Sequence, residues 1–134
     1  MTQENKDLLL KDLSTRLPYG VKFSTKYKNH KDIVYELIAI NKHSGIVETF
    51  GTIWFNIEDI KPYLRPLSSM TEEEDKEYTD IDNRSYSCPK DYAHTPASDR
   101  IDWLNKHHFD YRGLIEKGLA VEVTETDNPY KDKD

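Results

Sequence analysis

The chain has 134 residues, 33% of them charged, and a net charge of −6, which fits one globular domain over 1–134. A single cysteine, Cys88, excludes an intramolecular disulfide and so a small disulfide scaffold. The charge is uneven: residues 1–66 hold ten Lys/Arg against eight Asp/Glu, and residues 67–134 hold nine against seventeen. An acidic second half repels nucleic acid and anionic membrane, so neither is an expected partner.

The N-terminal segment 1–11 lacks the basic start and apolar middle of a signal peptide. No run approaches the ~20 apolar residues of a membrane helix. The expected location is the cytoplasm.

Thr2 can cap a first helix, in which Leu9, Leu10, Leu13 and Leu17 recur at helical spacing until Pro18 stops it. From Val21 the period becomes two: Val21, Phe23, Thr25 and Tyr27 alternate with Lys22, Ser24, Lys26 and Lys28, predicting a half-buried strand with a basic outer face. Ile33–Ile40 is apolar on both faces and reads as a central strand. Turn residues Lys42–Gly45 precede a strand over Ile46–Phe50, and a fourth follows over Ile53–Phe55. Short turns between successive strands predict an antiparallel meander over 21–55, as a curled sheet or SH3-like barrel. The expected core includes Val21, Phe23, Tyr35, Leu37, Ile40, Trp54, Leu104 and Leu114.

Asn56 can cap a single turn or kinked helix through Ile57, Ile60 and Tyr63 or Leu64, with Pro62 inside it. Thr71 and Glu74 form a capping box, and the acid run Glu72–Asp75 suits a helix N-terminus. Residues 80–97 carry turn chemistry and read as a long loop. Ser98 or Asp99 can cap a helix with Ile101, Leu104 and His108 on one face. Asp110 can cap another through Leu114 and Ile115, and Gly118 can end it in a left-handed turn. Leu119–Val123 reads as a last strand and 125–134 as a frayed, charged tail. The fold class is α+β.

The densest polar cluster is His107, His108, Asp110, Tyr111 and Arg112. As a site, Asp110 would orient a ring and Arg112 would grip a carboxylate or phosphate. As architecture, Asp110 caps and one histidine packs, and capping accounts for Asp110 without a ligand. Adjacent histidines diverge, and neither HExxH nor a Cys/His framework is present, so no metal and no cofactor is expected. Asp80-x-Asp82 starts like a calcium loop but lacks the glycine and the final glutamate. Cys88, beside Pro89, reads as a free thiol rather than a nucleophile paired with His94. Lys22, Lys26, Lys28 and Lys31 could face nucleic acid, but they also suit the solvent side of an edge strand. A helix–turn–helix over 101–120 would have a short recognition helix, 111–117, that offers only Arg112 and Lys117 to DNA.

Four stretches appear in order: Arg16–Val21 (RLPYGV), Ile57–Met70 (IEDIKPYLRPLSSM), Thr71–Glu74 (TEEE) and Trp103–Ala120 (WLNKHHFDYRGLIEKGLA). Together they resemble a group of small uncharacterised proteins of bacterial genomes, prophages and phages. The resemblance covers most of the chain outside Ser85–Ala97 and the tail. It implies an accessory protein of a phage or mobile element in a bacterial cytoplasm and transfers no catalytic residue. The expected function is non-enzymatic binding of a host protein or a small anionic ligand through residues 107–112. The alternative is a small enzyme using the His/Asp/Arg groups of the same cluster.

Overall fold

A long helix at the N-terminus and a seven-residue strand near the middle of the chain organise everything else. The structure, a computed structural model, describes residues 2–25, 34–49, 53–83 and 96–130. Helix α1 spans Gln3–Arg16. The Thr2 side chain accepts a hydrogen bond from the Asn5 N–H at 3.1 Å, as its N-cap position predicts. Leu9 and Leu13 are fully buried on the inner face of α1, together with the polar residues Asp12 and Arg16.

The strands are β1 (Lys22–Thr25), β2 (Tyr35–Glu36), β3 (Ala39–Asn41), β4 (Ile46–Glu48), β5 (Trp54–Asn56), β6 (Ile60–Pro66), β7 (Phe109–Asp110) and β8 (Val121–Glu122). Helices α2 (Glu72–Asn83) and α3 (Pro96–Lys106) lie between β6 and β7 in sequence. The α+β class is as expected, with β3, β4 and β5 an antiparallel meander. The other sheet has the order β2-β1-β6-β7, with β8 also on β6, and β7 and β8 pair with β6 in parallel. No closed barrel forms among the described strands.

Several expectations are corrected by the structure. The stretch 57–64 is a 3-10 turn, Ile57–Asp59, followed by β6 rather than a helix. Ile57, Ile60 and Leu64 fit a helical spacing, yet β6 lies between β1 and β7/β8 and buries residues on both faces, which removes the alternation of a half-exposed strand. At Pro62 only β1 lies alongside, so its missing N–H breaks no bond to β7 or β8.

The apolar run ending at Ile40 is not one central strand. It divides at Leu37–Ile38: Leu37 N–H donates to the Val21 carbonyl in the first sheet, and Ile38 N–H donates to the Glu48 carbonyl in the second. One run therefore serves two sheets, from the edge strands β2 and β3.

Trp54 is 62% exposed, while Phe55 takes the core position and packs against Phe23 and Tyr35. Three consecutive apolar residues, Ile53–Phe55, do not reveal which parity points inward. Val21, Phe23, Leu37, Leu104 and Leu114 are buried as expected, and Tyr35 and Ile40 pack partly buried against the core.

The capping box is formed: Glu74 N–H donates to Thr71 Oγ1, and Thr71 N–H donates to Glu74 Oε1. The helix it starts runs on to Asn83, inside the stretch expected to be a loop, and α3 starts at Pro96 rather than after a Ser98 or Asp99 cap. Residues 84–95, with Cys88 and His94, lie outside the described residues, as do Lys26, Lys28 and Lys31. Residues 111–118 form turns rather than a helix, closed by Gly118 at φ +73°.

Candidate functional site

The segment 107–112 sits where α1, α3 and β6 meet. Arg65 N–H donates to the His108 carbonyl, and Arg65 pairs with Phe109 in the parallel ladder. His108 has φ +63°, a left-handed turn that swings the chain out of α3 and into β7. The side chains of 107–112 meet different partners.

Asp110 is buried and spent on backbone. Its Oδ1 accepts from the Leu114 and Arg112 N–H groups at 3.0 and 3.3 Å, and its Oδ2 accepts from the Ile115 N–H at 3.0 Å. The capping role holds, although the capped unit is a run of turns.

Arg112 is only partly exposed and is paired within the chain. Its Nε donates to Asp12 Oδ1 at 3.1 Å, while Asp12 Oδ2 accepts from Arg16 Nε at 2.7 Å. One fully buried carboxylate therefore bridges two guanidinium groups. Both guanidiniums lie about 5 Å from the centre of the Tyr111 ring. The Tyr111 hydroxyl donates to Asn105 Oδ1 of α3 at 2.7 Å, and Arg16 Nη2 donates to the Phe109 carbonyl at 2.6 Å. This network ties α1, α3 and β7 together, with charge-assisted bonds in a water-poor setting.

The histidines diverge, as their adjacency predicts. His107 packs at a tilt against Trp103, with its Nδ1 3.7 Å from Glu74 Oε2, and burial lowers its pKa. His108 lies flat on Tyr130, with ring centres 3.6 Å apart and planes 9° apart. Burial first, then the Arg16 charge, lowers its pKa to about 4, so the ring is neutral at pH 7.

Several members of this region come from outside 107–112 and carry no motif of their own. Arg65 clasps Glu74 through two bonds of 2.7 Å and lies 4.2 Å over the Phe109 ring. The Arg65 hydrogen bonds lower the Glu74 pKa to about 2. Tyr130, assigned to a frayed tail, is docked: its hydroxyl accepts from the Lys22 N–H and donates to the Tyr63 carbonyl, each at 2.8 Å. Lys22 Nζ donates to the Pro129 carbonyl, so this lysine holds the C-terminal segment. The i,i+4 spacing of Asp12 and Arg16 was the one local signal available for these partners.

Beside the cluster lie two adjoining surface hollows of about 570 and 400 Å³, which share Leu67 and Tyr111. Among the described residues, no group of three or more His, Cys, Asp or Glu could hold a metal ion. No described helix is long and apolar enough to cross a membrane. No family profile, curated protein or solved structure matches the chain.

Proposed function

We propose that this chain is a non-enzymatic binding protein whose target is another protein, in the phage or mobile-element setting that its sequence motifs imply. The observation that carries this reading is the internal pairing of the 107–112 cluster. An anion site needs a cation free to receive the ligand. Arg16, Arg65 and Arg112 are each held by a carboxylate of the same chain. A general acid–base site needs groups that converge on one reacting atom. His107 and His108 instead pack against different rings, and Asp110 is saturated by backbone N–H groups. Among the described residues, the 107–112 cluster thus offers no convergent pocket, which favours recognition through surface, and surface suits macromolecules.

Titration calorimetry of the wild-type protein with inorganic phosphate, citrate and ATP tests this reading. It predicts no saturable heat. A saturable one-site isotherm with any of the three, lost in Arg112→Ala, would replace the protein target with a small anion.

A further inference from the structure

We infer that the paired hollows beside Tyr111 form a docking groove for a lysine- or arginine-rich amphipathic segment of a partner protein. The inference rests on the protein-binding reading above and adds the place and the chemistry. Its floor is apolar: Leu67 is 48% exposed where β6 gives way to α2, and Met70, Tyr78 and Tyr111 line the same hollow. A lone exposed leucine means little, but here it adjoins Met70, Tyr78 and Tyr111 in one hollow, and apolar surface gathered in a hollow suits a partner's side chains.

The rim has one sign. Glu72 and Asp75 edge the first hollow, and Glu116 and Glu122 edge the second, all four in exposed positions. No Lys or Arg lines either hollow among the described residues. Arg65 and Arg112, which could have neutralised the rim, are turned inward onto Glu74 and Asp12. The groove therefore presents exposed carboxylates around an apolar strip. A helix with leucines on one face and lysines on its flanks has the complementary pattern. Nucleic acid and anionic lipid are repelled by the same rim. The exposed Trp54 lies on β5 and lines neither hollow, so it serves as an internal control.

The test uses the full chain and two synthetic peptides. One is a helix-forming amphipathic peptide of leucine and lysine, and the other carries glutamate in place of lysine. Binding is read by fluorescence anisotropy. The wild-type protein should bind the lysine peptide and ignore the glutamate peptide, with affinity falling as salt is added. Neutralising the rim (Glu72→Gln, Asp75→Asn, Glu116→Gln, Glu122→Gln) should weaken binding about tenfold or more, as should Leu67→Asp. A variant with the same charge change elsewhere (Glu4→Gln, Asp7→Asn, Glu73→Gln, Glu125→Gln) and Trp54→Ala should stay within about twofold of wild type. All five substituted sites of the groove variants are exposed, and unchanged melting curves would show that they fold. Equal binding of both peptides, or rim and Leu67 variants that bind like wild type, would overturn the inference. No binding of the lysine peptide would overturn the groove chemistry and leave the protein-target reading standing, because that reading fails instead on a small-anion isotherm.

Discussion

Asp12 and Arg112 are 100 positions apart in the chain and meet at 3.1 Å. The contact matters because Asp12 is fully buried and already holds Arg16. A buried carboxylate is costly unless its oxygens are satisfied, and here each oxygen faces a guanidinium Nε. The cluster of 107–112 is thereby the outer half of a brace whose inner half is on the first helix.

Asp110 tests how the turn region is held. A simple N-cap lost to alanine costs about 1 kcal/mol and is restored by asparagine. Asp110 accepts with both oxygens, so asparagine would set an amide NH₂ against one of its backbone donors. Asp110→Ala should cost about 2–4 kcal/mol, and Asp110→Asn should recover only part of it. Urea denaturation of the three proteins measures this, and full recovery by asparagine would mean that only one carboxylate oxygen matters.

Acid should weaken the fold in two stages. His108 is held at about 4 when folded, against 6.5 for the free ring. The unfolded chain therefore takes up the proton first, and stability present above pH 6.5 is lost as pH falls towards 4. That displacement is worth on the order of 3 kcal/mol. His107, also lowered, adds in the same direction. Glu74, lowered from 4.5 to about 2, adds a second loss as pH falls from 4.5 through 2. His108→Asn, which tolerates the positive φ, should be less stable at pH 7 but change less between pH 7 and 4.5. Melting curves across this range check it; parallel pH profiles for the two proteins would contradict it.

Some local signals in the sequence hold, although α3 starts at Pro96 rather than after Ser98 or Asp99 and 111–118 forms no helix. Thr2, the Thr71/Glu74 box and Gly118 each do what their residue type and position suggest. Those signals need only neighbours within a few residues. The errors came where tertiary position decides. Ile57, Ile60 and Leu64 fit a helix, but β6 lies inside a sheet and buries Pro62, Tyr63 and Leu64 in succession, which breaks the alternation of a half-exposed strand. Trp54 and Phe55 exchange inside for outside by a register choice that neither residue encodes. The polar cluster was visible as composition. Its partners Asp12, Arg16, Arg65 and Tyr130 come from distant parts of the chain, and no spacing rule reaches them.

Tyr130 makes the C-terminal segment part of the fold. Tyr130→Phe keeps the ring on His108 but removes the hydroxyl shared by the Lys22 N–H and the Tyr63 carbonyl. It should cost about 1–3 kcal/mol. Deleting residues 128–134 should cost more, because the stack is lost too. Chemical denaturation of both variants decides it, and a truncation as stable as the full chain would return this segment to the status of a dangling tail.

Arg112→Ala, followed by melting temperature with and without inorganic phosphate, separates a brace from a ligand site most directly. As a brace, Arg112 satisfies one oxygen of buried Asp12. Its loss should cost about 1–3 kcal/mol, or several degrees in a chain of this size. Phosphate should then shift neither protein specifically. An unchanged melting temperature for Arg112→Ala, together with a phosphate-induced rise in wild type that the variant lacks, would contradict the account and make this cluster an anion site.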